Sequence, residues 1–156
     1  MTTLLTTHDI ASIVAAHGLP QVLRRMEDAV TAGFRRWGDF DKTARVASHS
    51  VDGVIELMPI ADAVHYSFKY VNGHPKNTAA GLSTVMAFGV LADVATGQPQ
   101  LLSELTLTTA IRTAATSVMA ARVLARPLSR TMAVVVMRVR PAGATMRLTR
   151  LPKTSW

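Results

Sequence analysis

The hydrophobic period of this 156-residue chain changes twice, and those changes restrict its fold more than any single motif does. Between residues 9 and 34 apolar side chains recur at helical steps. After Trp37-Gly38 the interval falls to about two, and from Thr106 it is helical again. Helices, then short strands joined by tight turns, then a further helix specify an α+β architecture. At this length one hydrophobic core is the default, and an apolar fraction of 49% is enough to build it.

The first helix is expected to start near Asp9 behind a Thr7 cap. Gly18-Leu-Pro20 separates it from a second, whose stripe is Leu23, Met26, Val30 and Phe34. Both helices are amphipathic and are expected to cover a sheet. Residues 45–49 read as a strand, Ser50-Val-Asp-Gly53 as a tight turn, and residues 54–58 as a second strand ended by Pro59. In a third strand over residues 63–71, Val64, Tyr66, Phe68 and Tyr70 alternate with His65, Ser67, Lys69 and Val71. One face is aromatic and the other largely polar, so one side meets a core or a partner and the other lines something wet. A turn-rich loop over 72–81 leads to a strand over 84–93, a hairpin turn at Ala95-Thr-Gly-Gln98 and a returning strand over 99–102. Together these make an antiparallel or mixed sheet. Residues 106–125 form an alanine-rich helix that can approach another backbone closely and stops at Pro127; a strand over 131–136 then opens a new unit.

There is no cysteine, which excludes disulfides, thiol chemistry and Cys-based metal sites. His49, His65 and His74 match no compact ligand spacing, so no metal is expected. Every apolar stretch is broken well before about 18 residues, and no basic leader precedes one, so neither a membrane span nor a signal peptide is expected and the plain reading is a soluble cytoplasmic protein. The net charge of +7 suggests nucleic acid until its distribution is considered. Residues 1–134 hold 12 Lys or Arg against 10 Asp or Glu; residues 135–156 hold Arg138, Arg140, Arg147, Arg150 and Lys153 with no acid. The basicity belongs mainly to the tail, so specific nucleic-acid recognition is not expected.

Three cations stand out by position. Arg45 starts a strand, Lys69 lies on the polar face of another, and Arg112 is the one charge in the first four turns of the last helix. Arginine offers a rigid fork for a carboxylate and lysine a point charge, so three such groups around one pocket suit a small acidic or amino-acid ligand. Considered separately, each is equally an ordinary surface residue. Glu56, between Ile55 and Leu57, needs a cationic partner if buried, for which Arg45 or Lys69 serves, or else occupies the solvent face of its strand.

At Phe68-Lys-Tyr-Val-Asn-Gly-His-Pro-Lys-Asn-Thr78, preceded by Gly53-Val-Ile-Glu-Leu-Met-Pro59, the chain resembles the ornithine cyclodeaminase and mu-crystallin family. The resemblance continues through Thr84-Val-Met-Ala-Phe-Gly-Val-Leu-Ala-Asp93, Leu102-Ser-Glu-Leu-Thr-Leu107 and Thr109-Ala-Ile-Arg-Thr-Ala-Ala-Thr-Ser117 to about Val135. It implies a substrate-binding and dimer-forming domain followed by an NAD-binding Rossmann domain. It also implies conversion of L-ornithine to L-proline and ammonia, with relatives acting on other amino or imino acids. By position, the resemblance assigns Arg45, Lys69 and Arg112 to the substrate carboxylate, Thr84 and Arg112 to the NAD side, and Glu56, with Lys69, to the reacting centre.

The resemblance then fails. A strand such as 132–136 is followed in the family by a Gly-x-Gly-x-x turn whose N-H groups meet the pyrophosphate. Here Val136-Met-Arg-Val-Arg-Pro-Ala-Gly143 supplies one glycine and a proline, and no acid follows. The family's catalytic aspartate, which belongs to the missing half, has no counterpart. The expected organisation is therefore an incomplete substrate-binding and dimerisation domain over 1–130, the first strand of a missing Rossmann domain over 131–135, and a basic tail unlike the family over 136–156. The tail is either a native extension, with an arginine-bearing strand over 145–151, or the product of a frame change or unrelated splice. The expected functions are an ornithine cyclodeaminase inactive in this form, or a non-enzymatic amino-acid-binding or dimerising module.

Overall fold

The computed structural model describes residues 1–126, Leu128 and Ser129, and the backbone of two further strands, Ala133–Val136 and Arg147–Arg150. Pro127 and the glycine-poor segment 137–146 lie outside the described residues. Contacts divide the chain into two units, Met1–Met119 and Ala120–Trp156.

The first unit is built on a six-stranded sheet in the order β1 (Thr3–Leu5), β6 (Pro99–Glu104), β5 (Ala87–Asp93), β4 (His65–Gly73), β3 (Val54–Ala61) and β2 (Val46–His49). All neighbours are antiparallel except β1, which runs parallel to β6 with Leu4 opposite Leu102. The sheet is thus mixed, and its parallel edge is a three-residue strand too short to show a period.

Helix α1 (Thr7–His17) is capped by Thr6, one residue earlier than the expected Thr7. The reason is a reciprocal box: the Thr6 hydroxyl accepts the Asp9 N-H at 3.3 Å, while an Asp9 carboxylate oxygen accepts the Thr6 N-H at 2.8 Å. Gly18, with φ of 76°, turns the chain into α2 (Leu19–Arg35). Leu23, Met26 and Val30 are half-buried on the expected stripe. Phe34 departs from it: it is 48% exposed and stacks on Trp37, with ring centroids 5.8 Å apart.

Pro59 does not end β3, contrary to expectation. The Ser50 N-H donates to the Gly53 carbonyl at 2.8 Å, which sets the phase of the β2–β3 hairpin so that residues 55, 57, 59 and 61 point toward β2. Because β2 begins at Val46, opposite Leu57, the N-H that Pro59 lacks has no ladder partner to lose. The strand runs on to Ala61, which exchanges both backbone bonds with Asp41 at 2.8 and 3.0 Å. Asp62 then closes the turn into β4 by accepting the Val64 and His65 N-H groups at 2.9 and 2.8 Å. These bonds, with the Arg36 guanidinium 3.0 Å away, hold its carboxyl down at about 2.

The alternation expected for β4 is present, and the aromatic side forms a cluster. Tyr70 stacks on Phe88 at 4.9 Å and Phe68 meets Phe88 edge-on at 6.4 Å. Burial is nevertheless tighter on the Lys69 side, where Val71 and Ala87 oppose each other and are both buried. Helix α3 (Thr106–Leu124) buries Ile111 and, one turn on, Ala115, whereas Ala114, which the helical steps of the sequence put on the apolar stripe with Ile111, is exposed. The strand expected from 84 begins only at Ala87. Residues 75–80 form a short 3-10 helix, ended by Gly81 in the left-handed region at φ 73°.

In the second unit, β7 (Ala133–Val136) pairs antiparallel with β8 (Arg147–Arg150), Ala133 opposite Arg150 and Val136 opposite Arg147.

Candidate functional site

In the β3–β4 register Glu56 lies opposite Val71 and Met58 opposite Lys69; across β4–β5, Lys69 lies opposite Gly89. Opposed residues share a side and alternate residues share a face, so Glu56, Met58 and Lys69 project together. Arg45 immediately precedes β2, whose Ala47 is the partner of Glu56, and its guanidinium reaches a Glu56 carboxylate oxygen at 3.5 Å. Arg112 enters from the second turn of α3, one residue after the buried Ile111.

Lys69 reports on all of them. Burial pushes its ammonium below the ordinary lysine value, the Arg112 and Arg45 guanidiniums push it further in the same direction, and Glu56 opposes them. The structure therefore brings Arg45, Glu56, Lys69 and Arg112 into one electrostatic cluster of three cations and one carboxylate. The Arg45 side chain is 65% exposed against 25% for Glu56, so the pair contributes at most about 1 kcal/mol to stability. Its effect is orientation: one guanidinium is held over the strand beside a half-buried ammonium, with positive charge in excess. The chemistry of such a set suits an anion with planar, divided charge, such as a carboxylate.

Thr84 is placed differently. It lies in the segment ahead of β5, where its carbonyl accepts the His74 N-H at 2.8 Å. Among the described residues no hydrogen bond or ion pair joins it to the four charged groups. The histidines are dispersed: His49 ends β2, His65 begins β4, and His74 packs beside Asn72.

Two further residues escaped the reading of the sequence. Gly89 leaves space on the Lys69 side for Leu105, at the head of α3; a Cβ there would stand 2.6 Å from a Leu105 methyl. Asn72 is buried at the end of β4 and bonds to Met86, a partner 14 residues away that no periodicity reveals.

The chain is similar to known proteins over this same region. The ornithine cyclodeaminase of Brucella abortus biovar 1 (strain 9-941) is 58% identical over 123 residues, which is 79% of this chain and 34% of the relative. That of Agrobacterium fabrum (strain C58) is 53% identical over 131 residues, 84% of this chain and 37% of the relative. The chain thus spans about a third of the length of the curated relatives it matches. Among solved structures, a lysine cyclodeaminase described for recognition of L-lysine, L-ornithine and L-2,4-diaminobutyric acid superposes with a TM-score of 0.75 at 34% identity, over 81% of this chain and 39% of that one. An archaeal alanine dehydrogenase dimer with bound NAD gives 0.68 at 32% identity, over 82% of this chain and 38% of that one. The sequence profile of the ornithine cyclodeaminase/mu-crystallin family matches residues 7–151, nearly the whole chain, and the observed mixed sheet with its helices is the fold these structures share, so the chain belongs to the ornithine cyclodeaminase/mu-crystallin family.

Proposed function

We propose that this chain supplies the carboxylate-holding half of an ornithine cyclodeaminase site, in an enzyme that converts L-ornithine to L-proline and ammonia. The observation that carries this reading is the convergence of Arg45, Lys69 and Arg112 with the Glu56 carboxylate on one face of the sheet. An α-amino acid brings a carboxylate and an ammonium about one carbon apart. The two guanidiniums and the Lys69 ammonium take the carboxylate, and Glu56, oriented by Arg45, receives the amine or a proton from it.

Bound NAD would supply a hydride acceptor and donor for the substrate α-carbon. Arg112, which is exposed, and the half-buried Thr84 fit the nicotinamide end of such a cofactor. No Gly-x-Gly turn follows β7 in the sequence to hold the pyrophosphate. The chain by itself is therefore a binder of amino acids rather than a catalyst.

Calorimetric titration of the purified chain with L-ornithine and with L-proline tests this. Saturable heat is expected with both, reduced on the order of tenfold or more in Lys69→Met by loss of a charge-assisted hydrogen bond. Absence of saturable heat removes the carboxylate site. Release of ammonia from L-ornithine with added NAD+ would show that the chain is catalytically complete.

A further inference from the structure

Asn72 is 6% exposed, and both ends of its amide are engaged. Oδ1 accepts the Met86 N-H at 2.6 Å, and Nδ2 lies 3.1 Å from His74 Nδ1. A backbone N-H can only donate, so the first contact fixes the orientation of the amide. The nitrogen end must then donate to His74, which makes Nδ1 the acceptor and leaves the imidazole proton on Nε2.

The backbone runs parallel to this tie. Asn72 N-H donates to the Met86 carbonyl at 3.1 Å, and His74 N-H to the Thr84 carbonyl at 2.8 Å. Within the same segment Asn77 Nδ2 donates to the Ser83 carbonyl at 3.0 Å. The imidazole itself is seated against Gly53, where a Cβ would come within 2.8 Å of two ring atoms and 2.3 Å of the Gly73 carbonyl oxygen. Residues 83–86 are thus fastened to the end of β4 through one buried amide and one imidazole of defined tautomer.

We propose that Asn72 is a positioning residue: by bonding Met86 and by fixing the His74 tautomer, it sets the place of Thr84 at the end of β4. Its functional meaning rests on the reading of Thr84 as a nicotinamide-side residue, and its geometry does not.

The test is NMR on the uniformly 15N-labelled chain at about pH 8, where an ordinary imidazole is neutral. In the wild type, His74 Nδ1 is expected to resonate as an unprotonated ring nitrogen. Asn72→Asp keeps an acceptor for Met86 but offers His74 only acceptors. Met86 protection should therefore persist while the proton moves to Nδ1 and the Thr84 amide shifts with it. In Asn72→Ala, exchange at Met86 should rise about tenfold over that at Tyr70 in the same molecule, the loss of roughly one hydrogen bond. A protonated Nδ1 in the wild type, or exchange at Met86 and Tyr70 that rises together in Asn72→Ala, overturns the proposal. If Asn72→Ala does not fold, the wild-type and Asn72→Asp ring spectra still decide it. The ring and exchange results are read without NAD+, so they decide the positioning role by themselves, and failure of the cofactor role of Thr84 leaves them unchanged.

Discussion

Lys69 is held in its charged form at some cost to the fold. It sits half-buried between two arginines, and only Glu56 offsets them, so the folded state disfavours its proton relative to the unfolded chain. The sign of the linkage follows. Where Lys69 is charged in both states, at neutral pH, its charge detracts from stability. As pH rises from the lowered folded value toward the ordinary 10.5, the folded chain loses the proton first and that penalty is relieved. Lys69→Met is therefore expected to raise the urea midpoint at pH 7 while weakening amino-acid binding, and the difference in stability from wild type should shrink as pH approaches 10.5. A Lys69→Met protein less stable than wild type at pH 7 would mean that the aliphatic stem, not the charge, dominates at this position. A cation that lowers the stability of its own fold is what the proposed ligand role of Lys69 predicts.

At the scale of elements, the cluster depends on how closely α3 approaches the sheet, and Gly89 sets that approach. A Cβ at Gly89 would lie 2.6 Å from a Leu105 methyl and 2.9 Å from the Phe68 carbonyl oxygen. The carbonyl belongs to the β4–β5 ladder and cannot retreat, so the displacement falls on Leu105 and the helix behind it. Gly89→Ala should cost about 1–3 kcal/mol by overpacking, measured by urea unfolding, and should weaken L-proline binding by moving Arg112 relative to Lys69. Unchanged stability together with unchanged affinity would show that α3 is not placed from this contact. The same elements show what a sequence discloses. The faces of β4 were legible because a period of two maps directly onto sides, and the existence of α3 because its apolar steps are long and regular, although the buried alanine is Ala115 and not the expected Ala114. Pro59 was misread because which neighbour its nitrogen faces depends on hairpin phase, a property of two strands at once. Strand β1 was missed because three residues carry no period, and its pairing with β6 spans almost 100 positions. The charges of the site were visible singly. Their convergence depended on the register of three strands and on helix placement; position along the chain only suggested it, and the resemblance pointed to it more firmly.

At the scale of the whole first unit, one face of the sheet is under-covered. The registers place Val46 and Leu57 in one row with Tyr70 and Phe88, and Phe68, Val90, Leu102 and Leu4 in the next row on the same side. Leu57, Tyr66, Phe88 and Leu102 are 37–42% exposed, and Val46 and Leu4 both 62%. Contiguous apolar surface beyond a few hundred Å2, roughly the limit for a monomer, marks a contact surface. A second copy of this chain is the expected occupant, since a sheet face that buries itself against its own symmetry mate closes the interface without leaving a free surface to propagate. The expectation is that the chain sediments as a dimer at micromolar concentration. Phe88→Lys, which places a charge in the centre of the Tyr70–Phe88–Phe68 cluster, should give a monomer or an aggregate with the helical circular dichroism retained, whereas Arg45→Ala should remain dimeric. Arg45 makes its ion pair on the Glu56 side of the sheet, so the two substitutions separate the ligand face from the contact face. A wild-type chain that stays monomeric, with Phe88→Lys equally soluble and equally stable, would mean that this aromatic face is adequately solvated as it stands. The carboxylate site would then have to be read as belonging to a free-standing monomer.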